Sequence, residues 1–494
     1  MAKPVTAVGF APTAVTGFAI GYNIDRPDNE GEYTDLRLNA RLVAKLLTQS
    51  YLGSELGRGH PGIGDNPLAI MNDPEFTALN PGLSQISQEA GASLLSLAND
   101  SDIVQQLTDW IAHDDDAMDF INGKADPWGM KVNPAYKKLK VPRSEWPLLD
   151  TYVPTTNNTC RQNNPDVYFS QLAAPVTTLR KVSDALLDGW PNVQTRCDFD
   201  QVSNTYKLGR IDRQSYGARF MLGVVSLGDA ARYGLHTAAL QSKKGTFVAP
   251  DDGSLAAAVD LMQPQKPSKG AKGDTHGAGD GSADARLLAA RKADTPDLSE
   301  VGRPFVLDQA DVRRSRSAYP GTMVVYTAAK LQGLLQDDAD KVAQFIRTAT
   351  TEGQKAGAGN GELPGGFLPI GKQGATRKLF DVAQEVATAV EAQTPEPTEE
   401  PAPSDTGAPT LPPNAGGVGG SPGGEVPTGV PGAGPGASPS ATAPPEPLVM
   451  PQTEAVSSDL GDRAVPVLLI VGLIGIALTS AVRFFVRPPR GPLP

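Results

Sequence analysis

A run of apolar residues from Ala464 to Val486, AVPVLLIVGLIGIALTSAVRFFV, most constrains what this chain can form. About twenty predominantly apolar residues are enough for a helix to cross the roughly 30 Å hydrocarbon core of a bilayer. Arg483 is the only ionisable residue in the run, and it lies near the end, where its side chain can reach the membrane surface. The run therefore predicts one transmembrane helix at 464–486. A buried core helix is the less favoured alternative, because the run follows a long stretch with little to bury.

Charges flank this run unequally, and cytoplasmic ends of membrane spans carry the excess of Lys and Arg. The flanking residues are Asp459 and Asp462 before the run, and Arg487 and Arg490 after it. We therefore expect a single-pass protein of the cell membrane, with tail 487–494 in the cytoplasm and residues 1–463 outside. The first residues show no clear signal peptide, so either the chain is truncated at its start or the span acts as a late signal-anchor.

Before the apolar run, residues 393–463 consist largely of Pro, Gly, Ser, Thr and Ala with some acidic residues. Such a composition cannot bury enough apolar surface to form a core, and it predicts a disordered stalk. A stalk of about 65 residues would average roughly 45 Å as a flexible coil and approach about 200 Å if extended. This leaves residues 1–392 as the folded domain, which carries a low-complexity excursion at 264–304 rich in Gly, Lys and Asp.

The net charge of -11 disfavours a nucleic-acid partner, which would need a basic surface. Cys160 and Cys197 are the only cysteines, so a structural zinc site is disfavoured. In an exported domain, two cysteines are more often bridged than free, which makes this pair a disulfide candidate. The four histidines are scattered, and no nucleophile and base pattern is present, so we predict no enzyme activity, no metal and no cofactor. The acidic stretch HDDDAMDF, 113–120, lacks calcium-loop spacing and predicts a solvated loop or helix face.

Hydrophobic patterning predicts alternating strands and helices. Bulky and small residues alternate from Ala14 to Tyr22, which predicts a strand with one face open to close packing. Asn39 is placed to cap an amphipathic helix, and MNDPEFTALNPGL, 71–83, predicts a turn into a short helix. Two late helices are expected at about 338–351 and 376–392. The first of them has an apolar face that includes Val342, Phe345 and Ile346, and it is expected to end at Gly353.

The order of these segments resembles the phosphate-binding protein of the phosphate ABC importer, a type II periplasmic binding protein. The matching stretches cover roughly residues 5–370 in the same order. They are a strand ending in YN, the NDP..F.ALNPG turn, FMLGVVSLGDAARYGLHTAALQSKKGTFVAPDDGSLAAAV, AYPGTMVVYTAAK, DADKVAQFIRTATTEGQKAG and GFLPI. The resemblance implies a two-lobed α/β fold whose first lobe is incomplete, because the family's fold opens with strands and helices that have no counterpart here. It also implies a small-molecule or anion ligand and an ABC importer permease as partner.

The phosphate-binding site is where this chain differs most from the family's pattern. The family holds phosphate with an Arg and a Ser-Gly-Thr run at a helix N-terminus, and LANDSDIVQQLTDWI aligns to that run. Asn99 and Ser101 are then the candidate ligand-binding residues. Leu97 replaces the Arg, Asp102 replaces the Gly, and Ile103 replaces the Thr. A negative charge in the first turn disfavours an oxyanion, so Ser101 is better explained as a helix cap, and the phosphate site is predicted to be degenerate.

Two functions from different classes follow. One is an extracytoplasmic, membrane-tethered solute-binding protein that serves an importer. The other is a non-transporting cell-surface structural or interaction protein that keeps the binding-protein fold. The resemblance favours the first, and the changes at Leu97, Asp102 and Ile103 favour the second.

Overall fold

A single long strand, β1 (Val8–Ile24), connects most of the structure. The structure is a computed structural model that describes residues 7–393, except 59, 85–88, 98, 147–155, 170–177, 191–193, 211, 267–297 and 299. Residues Val8 to Gly17 of β1 pair antiparallel with β11 (Thr322–Lys330), and residues Phe18 to Ile24 pair antiparallel with β5 (Phe220–Ser226). The strand predicted at 14–22 is therefore confirmed and is longer than expected.

The remaining elements make the described part of the chain a mixed α/β fold with several small sheets. The order along the chain is β2 (Arg37–Leu38), α1 (Ala40–Leu47), α2 (Pro74–Leu79), α3 (Asp102–Ala112), α4 (Asp115–Ile121), α5 (Thr159–Asn163), α6 (Leu179–Asp188), β3 (Gln194–Asp200) and β4 (Thr205–Arg210). After β5 follow α7 (Leu227–Tyr233), β6 (His236–Thr237), β7 (Ala239–Gln241), β8 (Phe247–Val248), α8 (Asp252–Leu261), β9 (Gln263–Pro264), β10 (Phe305–Val306), α9 (Gln309–Val312), β11, α10 (Gln336–Ala349) and α11 (Arg377–Ala392).

The strands form four groups within the described residues. The largest sheet has the order β11-β1-β5, with β6 also paired to β1. A second sheet has the order β2-β7-β8, in which β2 and β7 are parallel. The pairs β9-β10 and β3-β4 are two-stranded. Because β9 and β10 flank the predicted excursion, their pairing brings its two ends together.

The small-residue face of β1 is closely packed, as its pattern predicts. A Cβ atom added to Gly17 would lie 2.3 Å from the carbonyl oxygen of Gly321, and one added to Gly21 would lie 2.9 Å from Val225. Gly17 is also the last residue of β1 that pairs with β11, and Phe18 is the first that pairs with β5. The strand therefore changes partner where two glycine backbones meet.

Two separate clusters of buried apolar side chains lie along β1. The larger cluster begins at Val15 and includes the rest of β1, β5 and helices α1, α3 and α6. The smaller contains Ala11 of β1, Ala329 of β11 and the facing sides of α10 and α11. Alanines supply much of the α10–α11 contact, which lets the two helix backbones approach closely: these are Ala339, Ala343, Ala383 and Ala387. Strand β1 contributes buried residues to both clusters, whereas β11 contributes Ala329 to the smaller one and packs the partly buried Met323 and Val324 against the larger one.

The structure corrects three details of the sequence predictions. Phe345 does not belong to the buried face of α10: it is 58% exposed, and the buried positions are Ala339, Ala343 and Ile346. This helix ends at Ala349, before Gly353, which lies in a following turn of 3₁₀ helix. Asp114 is not solvated, because it is a buried N-cap of α4 that also pairs with Arg313.

No helix of the described residues is both long and apolar enough to span a bilayer. The predicted stalk beyond Gln393 and the apolar run 464–486 lie outside the described residues, as does most of the predicted excursion.

Candidate functional site

The predicted ligand residues lie at the N-terminus of α3. The segment before it extends the central sheet, since Leu95 forms a parallel bridge with Gly223 of β5. The amide of Leu95 donates to the carbonyl of Leu222, and the amide of Val224 donates to the carbonyl of Leu95. This isolated bridge therefore holds the chain against β5 a few residues before α3 begins.

Ser101 acts as the N-cap of this helix. Its hydroxyl oxygen accepts a hydrogen bond of 3.2 Å from the amide of Ile103, and its own amide donates to the carbonyl of Ser144. Asp102 occupies the first turn of α3, where a negative charge stabilises the helix dipole and disfavours a bound anion. Leu97 is buried, and Asn99 is exposed and has no hydrogen bond within the described residues. Of the two predicted ligand residues, Ser101 thus has a structural role that the sequence also predicts.

The two cysteines form a disulfide that joins α5 to the β3–β4 hairpin. Cys160 and Cys197 have Cα atoms 5.8 Å apart and are separated by 37 positions in the sequence. Cys197 pairs with Leu208 across the hairpin, and the neighbouring pair on the same face is Phe199 with Tyr206. These two rings meet edge to face with centroids 5.2 Å apart. The hairpin is a two-stranded ribbon, so this covalent link is a main connection between it and the rest of the domain.

A buried ionic cluster, which the sequence analysis missed, surrounds Lys45 of α1. The ammonium of Lys45 is fully buried, and it lies 2.7 Å from Asp73, 2.9 Å from Glu75 and 2.6 Å from Asp126. Carboxylate oxygens of these three acids lie within 4.8 Å of one another, which is the arrangement of a cation site. Here the Lys45 ammonium takes the position that a metal ion would occupy. We call Lys45, Asp73, Glu75 and Asp126 the Lys45 cluster.

Further donors complete the cluster. Arg41 lies one turn before Lys45 on α1, and its guanidinium donates to both oxygens of Glu75. The hydroxyl of Tyr51 donates to Asp73 over 2.9 Å, and the amides of Trp128 and Met130 donate to Asp126. Every acid of the cluster therefore has several donors, as buried charges require.

The pKa values follow from this geometry. Burial alone would lower the pKa of Lys45, but attraction to Asp73 and Glu75 outweighs it and raises that pKa. Burial alone would raise the pKa of Glu75, but hydrogen bonds from Arg41 and the charge of Lys45 lower it overall. Burial, with Asp73 next to it, raises the pKa of Tyr51 well above its ordinary value. Lys45 is thus held as a charged and inaccessible ammonium, which is unsuited to act as a base or nucleophile.

The cluster connects segments far apart in sequence. Asp73 is the N-cap of α2, Lys45 lies on α1, and Asp126 organises the turn after α4. The sequence does contain one signal for this cluster. Lys45 lies three residues after Leu42, among the apolar residues of an amphipathic helix, and two acids, Asp73 and Glu75, follow at the start of the next helix. The chemistry of this arrangement is structural: it fixes α1 against α2 and the 126–130 turn.

No protein-family model and no curated protein matches this sequence.

Proposed function

We propose that the chain is an extracytoplasmic, membrane-tethered solute-binding protein with a two-lobed fold of the type II periplasmic binding protein class, with a degenerate phosphate site. The observation that carries this proposal is strand β1, which contributes buried residues to both clusters. Its partner β11 supplies Ala329 to the smaller cluster, and its partly buried Met323 and Val324 pack against the larger one. Binding proteins of this class close by hinge motion about a few residues that connect two lobes. The change of strand partner at Gly17 and Phe18, beside Gly321, is where such a hinge would lie.

The predicted partner of such a protein is an importer permease in the same membrane. The resemblance supports this part of the proposal, together with the stalk and the apolar run in the sequence. A stalk of this kind lets a domain reach across an envelope while it stays attached to its membrane.

One observation favours the second candidate, a surface interaction protein that keeps the fold without transport. The N-terminus of α3 is capped by Ser101 and carries Asp102, so it is poorly suited to an oxyanion. Loss of two charge-assisted donors, each worth about 1.5 to 3 kcal/mol, would weaken phosphate binding by roughly two to four orders of magnitude.

Isothermal titration of the purified full-length protein with phosphate tests the degenerate site. We expect no binding in the micromolar range. The variant Ser101→Ala should lower the stability of the protein by about 1 kcal/mol through loss of the cap. The exposed Ser317→Ala serves as the matched control and should be neutral. Micromolar phosphate binding that Ser101→Ala abolishes would make Ser101 a ligand residue and would contradict the degenerate site.

Solution scattering with a panel of candidate solutes separates the two functions. A solute-binding protein should become more compact with its ligand, because the lobes close on it. An interaction protein without a ligand should show no solute-dependent change in its radius of gyration. Absence of compaction across sugars, amino acids, peptides and anions would favour the second candidate.

A further inference from the structure

A cleft of about 450 Å³ lies over the β2-β7-β8 sheet and is lined by residues of that sheet and of the segments just before β2 and β8. Its lining includes Thr34, Asp35, Arg37, Thr237, Thr246 and Phe247. This volume falls within the range of small-molecule sites, which combine apolar walls with a few polar groups. Neither Asn99 nor Ser101 lines the cleft, so an inference about it stands apart from the proposed function.

The walls of the cleft are fixed by buried groups. The amide of Arg37 donates to the side-chain oxygen of Asn80 over 2.8 Å, and the Asn80 side-chain nitrogen donates to the carbonyl of Arg37 over 3.0 Å. Asn80 is fully buried. The second lining segment is fixed as well: Thr237 pairs with Gly21 of β1, and Ala239 pairs with Arg37 of the neighbouring strand β2. Both walls are thus attached to the main body of the domain, which favours a preformed site over a loose surface groove.

Two opposite charges stand side by side on one wall. Leu36 is buried, whereas its neighbours Asp35 and Arg37 are exposed, which is the alternation of an extended chain. Residues two apart in such a chain lie on the same side, about 6 to 7 Å apart. Within the described residues, neither the Asp35 carboxylate nor the Arg37 guanidinium has a hydrogen bond or an ion pair with another side chain.

The other lining groups add hydroxyls and apolar surface. The hydroxyls of Thr34, Thr237 and Thr246 make no hydrogen bond to the described parts of the chain, which leaves them free for a ligand. Phe247 and Ala239 supply apolar surface next to them. The cleft therefore combines an anion, a cation, hydroxyl groups and an apolar patch.

We propose that this cleft binds a small zwitterion with an apolar side chain, such as a free amino acid or a dipeptide. The ligand carboxylate would pair with the Arg37 guanidinium, whose fork matches a carboxylate, and the ligand ammonium would pair with Asp35. The apolar side chain would lie against Phe247. Both charges of the ligand are required, because each meets one charge of the cleft.

Isothermal titration of the purified full-length protein with leucine, phenylalanine and leucyl-leucine tests this assignment. We expect at least one of the three to bind. The analogues N-acetyl-leucine, which lacks the ammonium, and leucinamide, which lacks the carboxylate, should bind about tenfold or more weakly. The variants Arg37→Gln and Asp35→Asn should each weaken binding of the parent zwitterion by about tenfold or more.

Arg232→Gln and Asp65→Asn are matched controls, because both side chains are exposed and neither lines the cleft. They should leave binding unchanged. The proposal is overturned if none of the three zwitterions binds, if both analogues bind as tightly as leucine, or if Arg37→Gln and Asp35→Asn bind like the wild type. A phosphate or solute response that survives in Arg37→Gln would belong to the proposed function and not to this cleft.

Discussion

The buried charges of the Lys45 cluster depend on one another, because each is paired with a group of opposite charge. Three carboxylates face two cations, Lys45 and Arg41, and the ion pairs between them span 2.6 to 2.9 Å. The desolvation of two or three charges is costly, and such a cluster is stable only when it is complete. Removal of one member should therefore lower the free energy of unfolding by more than the loss of its own contacts would.

Replacement of Lys45 by Met should lower the free energy of unfolding by about 3 to 5 kcal/mol, because it leaves three buried acids without their central cation. Chemical denaturation followed by circular dichroism measures this change. Lys124→Met is the matched control, since Lys124 pairs with Asp119 at the surface with side chains 72% and 54% exposed. That pair is worth at most about 1 kcal/mol. Equal losses for the two variants would contradict a structural role for the cluster.

The same cluster should make stability depend on acid. The pKa of Glu75 is lower in the folded chain than its ordinary value. A carboxyl of this kind contributes stability above its unfolded pKa of about 4.3, and this contribution is lost as the pH falls toward the folded pKa. We expect the free energy of unfolding to fall as the pH drops below about 5, with a smaller slope in Glu75→Gln. An unchanged slope in that variant would assign the acid sensitivity to other carboxyls.

At the residue scale the sequence predicted the caps and missed the cluster. Asn39 and Ser101 were recognisable because a cap and its helix are neighbours in the chain, and both are confirmed as caps. Asp126 lies 81 positions from Lys45. Local patterning carries no information on a contact of that separation. The role of Asp35 and Arg37 was equally unpredictable, because it depends on lining residues that lie about 200 positions later in the sequence, on β7 and β8.

At the scale of elements, apolar periodicity predicted the strand β1 and the helices α1, α3, α10 and α11, and the turn signals of residues 71–83 predicted α2. Periodicity did not predict which side of helix α10 is buried. Helix α10 has apolar residues on two adjacent sides, and α11 covers the side that carries alanines, so Phe345 remains 58% exposed. The sequence prediction instead chose the side with the larger apolar residues, which includes Phe345. The choice depends on which face the neighbouring helix can approach closely.

The disulfide should control the order of one element, the β3–β4 hairpin. In the double variant Cys160→Ser with Cys197→Ser, we expect faster amide hydrogen exchange in residues 194–210, because an isolated two-stranded hairpin is marginally stable. Closure of a loop of this length is worth about 3 to 4 kcal/mol in the chain-entropy description. Exchange in β1 should change much less. A uniform increase across β1 and the hairpin would instead indicate that the bridge supports the whole domain.

At the scale of the whole molecule, some features could be predicted from the sequence and others could not. The mixed α/β character of residues 7–393 could be predicted from alternating strand and helix patterns, and the structure confirms it. The division of the core into two clusters along β1 could not be predicted from patterning, because it depends on which strands meet. The membrane anchor is a prediction from the sequence, because an apolar run of this length is long enough to span a bilayer.

The predicted anchor and its flanking charges together predict a membrane topology that can be tested. In cells that produce the full chain with a C-terminal tag, external protease should remove residues 1 to about 460 and leave the tag attached to the span. The physical reason is the excess of arginine after Val486, which predicts that this end stays in the cytoplasm. Immunoblotting for the N-terminal domain and for the tag measures both ends in one sample.

Permeabilised cells and a cytoplasmic marker complete this experiment. The tag should disappear only when the membrane is opened, and the marker should survive in intact cells. The predicted stalk should be cut first, because its composition, rich in Pro, Gly and Ser, favours a chain with many sites accessible to protease. An early product that contains residues 1 to about 392 would then appear in the medium. Full protection of the N-terminal domain in intact cells would place it inside, and it would exclude a role in binding external solutes.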